Sequence, residues 1–349
     1  MQNFFIGGGF KNILSRKNSQ DNDKKKREPL GLVSNFAPKI HREMSNPEFA
    51  TNEFDEELYS HSSYANDTEE CDYIPFYHVE YQIGDPNNPQ DVTEYENIVY
   101  RSMRNRENVF PECIVEQTEI NGMHRGLLVD SMVRIHYKTQ LTTVTLYRAV
   151  GILNRVLSLT ELTKDRLQIV GCASLLIASK VEDIMPLQIE SALICTNHSF
   201  SKSDLLKMET QIANLIEFDL AFPTPFFFLS YFLRINGQTN EIILLTRYIL
   251  EVCLTCEEFF DVKPSAIAAT SIMMMRVIIG EEPWTEELAN FSQYSFDDLS
   301  GHAKSLHQIL LQKNREESFF IKKKYGSEPY LGVSMIPVPK ELPCPFPFV

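Results

Sequence analysis

Apolar residues recur at helical spacing along this chain from about residue 91 onward, and show no sustained period before it. Tyr95, Ile98, Val99 and Met103 predict a short amphipathic helix. A run of helices follows, with no convincing strand between them. Leu127, Leu128 and Ile135 mark one, and Leu146, Val150, Leu153 and Leu157 the next. Leu167, Val170, Gly171, Ser174, Ile177, Ala178 and Val181 mark a third. After a short piece around Ile189 to Cys195, Leu205, Met208, Ile212 and Leu215 mark a fifth. Pro223 and Pro225 then punctuate the chain. The series restarts with Phe226 to Leu233, Ile242 to Cys256, Ser265 to Ile279, Trp284 to Asn290 and Asp297 to Leu310.

The two series align at an offset that sets Val170-Gly171-Cys172-Ala173-Ser174-Leu175 against Ile267-Ala268-Ala269-Thr270-Ser271-Ile272. Both segments are apolar helices with small residues at mid-length. Small side chains allow close approach from several directions, which suits a helix at the centre of a bundle. The pattern predicts an all-α chain with two five-helix domains in tandem, at 123–222 and 223–315. A helix and linker at 91–122 precede them, and a tail at 316–349 follows.

Charge changes the picture mainly at the start. Between His41 and Asn97 stand fifteen Asp or Glu against one Arg. Such a segment cannot bury enough apolar surface to offset its ordering entropy, so residues 1–90 read as a disordered arm. Its early part is basic at Lys24, Lys25, Lys26 and Arg27, a run that suits either nuclear import or a solvated charge cluster. The formal net charge of -14 argues against broad nucleic-acid binding. No apolar run reaches the ~18 residues of a membrane span, and the start lacks the pattern of a secretory signal.

Candidate chemistry is sparse. The seven Cys are scattered and odd in number, which reads as reduced thiols in a cytosolic or nuclear protein. Cys253 and Cys256 have zinc-like spacing, but no second ligand pair follows, so core packing is the stronger reading. Gly7-Gly8-Gly9 lacks the Lys and flanking strand of a phosphate loop, and Met273 to Met275 reads as core. No catalytic constellation, metal ligand set or cofactor motif emerges, which argues against an enzyme.

Several separated motifs resemble one family. His124-Arg125-Gly126-Leu127-Leu128-Val129-Asp130 is similar to the MRAILVD opening of a cyclin box. Leu167-Gln168-Ile169-Val170-Gly171 with Ala178-Ser179-Lys180-Val181-Glu182-Asp183 resembles LQLVG…ASKxEE, and Lys207-Met208-Glu209 with Phe218-Asp219-Leu220 resembles RME…FDL. The likeness runs from about residue 91 to 335, including Tyr325 and Gly332-Val333-Ser334. It points to the mitotic cyclins, A-type more than B-type. A transcription factor of the same double-box architecture is the less favoured alternative, since it would need a basic face.

The resemblance implies a regulatory subunit that binds and activates a cyclin-dependent Ser/Thr protein kinase. It acts by packing on the kinase helix whose Glu pairs with the ATP-binding Lys. The implied kinase face comprises Lys180, Val181, Glu182, Leu205, Glu209 and Phe218. The implied groove for basic-x-Leu peptides of substrates or inhibitors comprises His124, Leu127, Leu128, Ser131, Arg134 and Gln168. Ser131 lacks the family's aromatic wall, and Arg134 would repel a basic peptide residue, so weak binding of such peptides is expected. Arg125 is implied to be a buried structural residue. The family pairs it with an Asp, but Asn154 stands there, so a charge-assisted hydrogen bond without a formal counterion is expected. In the arm, Arg27, Leu30, Val33 and Asn35 resemble the mitotic destruction box, which implies a mitotic ubiquitin ligase as a second partner. The expected residence of the chain is nucleus and cytoplasm.

Overall fold

Most helices here bury one stripe, and side-chain caps reinforce several of their starts. The computed structural model describes residues 93–107, 116–236, 239–313 and 319–343. These contain α-helices and short 3-10 turns, and no strand among the described residues. The first group begins after α1 (Thr93–Arg106) and comprises α2 (Gly122–Thr139), α3 (Thr143–Leu159), α4 (Lys164–Glu182), α5 (Ile189–Cys195) and α6 (Lys202–Leu215). The second comprises α7 (Pro225–Asn236), α8 (Asn240–Leu254), α9 (Pro264–Ile279), α10 (Glu286–Ser292) and α11 (Phe296–Lys313). A further helix, α12 (Phe320–Tyr325), follows. All described residues belong to one compact unit, Phe76–Val349.

The two helices expected at the centres are there. Helix α4 packs against α2, α3 and α6, and α9 against α7, α8 and α11. Val170 to Leu175 and Ala268 to Ile272 are fully buried. Gly171 is required by packing: a Cβ there would lie 2.8 Å from the Leu128 side chain. Met273, Met274 and Met275 are core residues, as expected. Cys253 and Cys256 are buried free thiols. Burial raises both, Cys256 to about 11, so neither is poised as a thiolate.

The face of α1 differs from the expectation. Tyr95, Ile98 and Val99 are exposed, and Tyr100 is the buried anchor. Its ring meets those of Phe228, Tyr231 and Phe291 at 5.3–5.8 Å. At the end of α1, the Glu107 carboxylate accepts the Ser265 amide at 2.9 Å and its hydroxyl at 2.7 Å. Period counting found the helix, but its inward stripe is set by what the second group offers it.

The tail holds the larger surprise. Helix α12 packs on both α2 and α8, and so spans the two groups. Asp130 caps its start, accepting from the backbone N–H of Phe320 at 3.0 Å and of Ile321 at 3.2 Å. Lys324 donates to both carboxylate oxygens of Glu251 at 2.7 and 2.8 Å, and the Tyr325 hydroxyl donates to the same group at 2.8 Å.

The groups also meet at Arg125. Its Nε and Nη2 donate to Asn154 Oδ1 at 3.0 and 2.8 Å, and Nη1 donates to the Leu254 carbonyl at 3.0 Å. The expected charge-assisted bond to Asn154 is therefore present. The Leu254 carbonyl at the end of α8 adds the negative end of a helix dipole in place of a counterion. Burial still lowers the guanidinium, to about 10. Gly126 permits the approach: a Cβ there would stand 2.6 Å from the Thr255 carbonyl.

Candidate functional site

The exposed seam between α4 and α6 gathers most of the expected residues. Lys180, in the last turn of α4, pairs with Glu209 of α6. The Lys180 side chain is 49% exposed and that of Glu209 16%. Each helix has a reason to end or begin nearby. Helix α6 starts with a capping box, in which Ser201 and Asp204 bond each other's backbone N–H at 3.1 and 3.2 Å. Helix α4 ends where Asp183 turns inward to accept the Thr142 amide at 2.8 Å. From that turn the chain emerges with Ile184 almost wholly in solvent and Met185 largely so.

Phe218 is placed by backbone conformation. Glu217 and Phe218 both have positive φ, 54° and 57°. For residues with a Cβ this costs about 1–2 kcal/mol each. The Phe218 N–H closes the end of α6 by donating to the Ala213 carbonyl at 2.9 Å. The result is an aromatic ring 66% exposed. Asp219 behind it is held by Arg155 at 2.8 Å and Arg106 at 3.2 Å. The Arg155 hydrogen bond keeps its carboxyl below the usual range.

Two expected residues have other roles. Leu205 is 0% exposed and belongs to the core of the first group, so it cannot touch a partner. Its own spacing with Met208 and Ile212 marks the inward stripe of α6, and Leu206 is the residue that reaches the surface. Glu182 turns to Arg148, which also donates to the Leu220 carbonyl. It braces α4 against α3 and the segment behind Phe218. Ile184 and Met185 were missed by sequence reasoning. Their signal was present: two large apolar residues just past a helix end, before Pro186, with no periodic partner.

The second expected surface is divided among roles. His124 forms a reciprocal cap with Asn121, through bonds of 3.1 and 3.3 Å, and so serves the start of α2. Leu128 is buried against Gly171 as the floor. Leu127 is exposed, and Ser131, Arg134 and Gln168 are half-buried. The Arg134 guanidinium lies 5.3 Å above the Phe320 ring. Arg27, Leu30, Val33 and Asn35 lie outside the described residues.

Among the described residues, no helix is long and apolar enough to cross a membrane. A cleft of about 610 Å³ between the groups is lined by Arg125, Tyr147, Phe222, Phe259 and Phe260, without a nucleophile–base arrangement.

Comparison with known proteins identifies what the chain is similar to. Residues 98–221 match the family "Cyclin, N-terminal domain", and residues 223–339 match "Cyclin, C-terminal domain". Cyclin-A1 of Mus musculus is 32% identical over 257 residues, covering 72% of this chain and 61% of that protein. G2/mitotic-specific cyclin-B of Patella vulgata is 28% identical over 260 residues, covering 73% of this chain and 63% of that protein. Human G2/mitotic-specific cyclin-B2 is 30% identical over 258 residues, covering 72% of this chain and 65% of that protein. The chain thus spans a little over three fifths of the length of these curated relatives. The solved structure of a viral cyclin from herpesvirus saimiri shares the fold, with a TM-score of 0.55 and 20% identity, over 60% of this chain and 96% of that one.

Proposed function

The chain belongs to the cyclin family, and on that premise we propose that it is a non-catalytic subunit that binds and activates a cyclin-dependent Ser/Thr protein kinase in mitotic progression. One observation carries the reading. The seam of α4 and α6 holds an oriented ion pair, Lys180 with Glu209, while Val181, Ile184, Met185 and Phe218 stand in solvent. Exposed apolar groups of this size beside ordered charges mark an interaction surface. Such a surface can fix a mobile kinase helix by burying its apolar side and meeting its polar groups with Lys180 and Glu209. Activation then needs only that the kinase's own Glu–Lys pair be held together.

The test exploits the pairing. In Lys180→Glu/Glu209→Lys the two side chains still attract each other, so the fold is kept, but the polarity offered to a partner is reversed. Co-purification of a kinase and histone phosphorylation by the complex should both fall to background. Wild-type activation by the swapped variant would refute the assignment. Sequence likeness of the run Phe218-Asp219-Leu220-Ala221-Phe222-Pro223-Thr224 and of the Gly332-Val333-Ser334 tail supports the A-type within the mitotic class. The match of Arg27, Leu30, Val33 and Asn35 to a destruction box supports turnover by the mitotic ubiquitin ligase. An Arg27→Ala/Leu30→Ala chain should then persist through mitotic exit. The run from Lys24 to Arg27 supports passage between cytoplasm and nucleus.

A further inference from the structure

The cleft between the two helix groups has an apolar wall and one buried cation. It encloses about 610 Å³, the size of a small-molecule site. The rings of Tyr147, Phe222, Phe259 and Phe260, with Ile267, line it beside Arg125. Tyr147, Phe222, Phe259 and Ile267 are buried. Phe260 is half-buried, and the centre of its ring lies 5.2 Å from the guanidinium carbon of Arg125. Stacking on Phe260 covers one face of the guanidinium and leaves its edge for hydrogen bonds.

That edge is not fully used. A guanidinium carries five N–H donors. On Arg125, Asn154 Oδ1 takes two and the Leu254 carbonyl takes one, and the others have no acceptor among the described residues. Both acceptors are neutral, and Glu257 acts on Arg125 only through space. The other charged groups of the cleft are engaged or offset. The Glu107 carboxylate accepts from Ser265 and Arg104. Asp261 and Lys263 are both exposed and opposite in charge. A buried cation with open donors and no bonded counterion therefore lies in the wall of an aromatic chamber.

We propose that this cleft binds a small aromatic carboxylate, with the carboxylate on Arg125 and the ring among Phe222, Phe259 and Phe260. The ligand supplies the single negative charge that Asn154 lacks, and its pairing with a planar guanidinium is charge-assisted and directional. A doubly charged phosphate fits less well, since Glu107 and Asp261 line the same cleft and one buried cation meets it. An aromatic body gains ring–ring contacts that an aliphatic one lacks. The site shares no residue with the seam of α4 and α6, so it neither supports nor needs the kinase reading.

The experiment titrates phenylbutyrate and its neutral amide, phenylbutanamide, into the full chain without kinase, read by ligand-observed NMR. Probes of this size bind in roughly the millimolar range. Wild type should prefer the carboxylate about tenfold, because a charged acceptor strengthens the bonds to Arg125. Asn154→Asp sets a carboxylate on the guanidinium from within the chain, and should abolish the preference while the melting temperature holds. Phe260→Leu keeps apolar bulk without the ring, and should weaken both probes while the preference stays. Lys263→Gln should leave both affinities unchanged. Absent saturable binding, the result expected if residues 108–115 fill the cleft, would overturn the proposal. So would equal affinity for the two probes, or a preference that survives in folded Asn154→Asp. Should Asn154→Asp melt early, the other variants decide: unchanged affinities in Phe260→Leu or a lost preference in Lys263→Gln would each refute the site.

Discussion

Two Lys–Glu pairs in this molecule have the same chemistry and opposite surroundings. Lys324 and Glu251 join α12 to α8 with side chains 1% and 0% exposed. Lys180 and Glu209 join α4 to α6 with side chains 49% and 16% exposed. The buried pair is completed by the Tyr325 hydroxyl, so the carboxylate accepts three bonds inside the protein. Burial lowers the pKa of Lys324, and Glu251 opposes that shift. The exposed pair keeps one side open to water. A charge with all its partners inside the chain can only hold the fold together. A charge paired on one side still has something to offer a kinase.

The largest expected effect lies in the buried pair. Lys324→Met leaves Glu251 charged and buried with one hydroxyl donor, and removal of one member of such a pair costs about 3–5 kcal/mol. Urea unfolding of the chain should show that loss. Lys324→Met/Glu251→Leu removes both charges and should recover most of it, because the penalty comes from an unpaired charge. If the double variant is no more stable than the single, the pair is contributing attraction and not merely avoiding a penalty. The contrast with the exposed pair would then be sharper still.

A middle case is Arg125, a buried cation that is hydrogen-bonded to no carboxylate and feels Glu257 only through space. Asn154→Ala strips two of its hydrogen bonds and should cost about 1–3 kcal/mol. Asn154→Asp supplies the missing counterion and should leave stability unchanged or raised. A loss in Asn154→Asp as large as in Asn154→Ala would show that the Leu254 carbonyl and the end of α8 already satisfy the guanidinium.

The contrast also explains what could be read from sequence. Both helix series and their centres were legible because apolar period and small residues are local properties: Val170 to Leu175 and Ile267 to Ile272 lie in the helices expected. The Arg125–Asn154 bond followed from matched positions 29 residues apart. Lys324 and Glu251 stand 73 residues apart, and nothing local distinguishes Lys324 from Lys322 and Lys323 beside it. Only packing of α12 selects which of three consecutive lysines is buried. Leu205 failed for the opposite reason. Its period with Met208 and Ile212 marks the inward stripe of α6, whereas the family resemblance that implies a kinase contact carries no signal of which side of the helix a residue faces. Ile184 and Met185 lie past the end of a helix, where periodicity says nothing.

His136 extends the comparison to pH, since the charges of Lys324 and Glu251 both act on it. Its Nε2 contacts the Thr142 carbonyl at 2.7 Å, which assigns the proton there, and Nδ1 is buried without a partner. Protonation would put a charge and an unpaired N–H in the interior. Burial accordingly lowers its pKa from 6.5, against the smaller opposing pull of the Thr142 carbonyl. The unfolded chain therefore takes up the proton first. Stability should fall as pH drops through about 6.5 and level off below the folded-state value. Thermal melts of wild type and His136→Gln across that range should diverge by at most one proton's linkage. Parallel curves would mean that His136 does not report on this interior.

The smallest effect on stability is expected where the effect on function is largest. Lys180→Ala breaks the exposed pair, and with half of the lysine in water its loss should change unfolding free energy by only about 0–1 kcal/mol. Added salt should shrink even that, because screening weakens an exposed pair in the folded chain. Kinase retention in a pull-down should nevertheless drop, since the lysine's free hydrogens are what the seam presents to a partner. The two measurements together separate the alternatives. A variant that loses several kcal/mol would show that Lys180 is a structural tie like Lys324. A variant that keeps both stability and kinase would show a solvated pair of no consequence. Lost binding at unchanged stability is the outcome that an outward-facing pair requires.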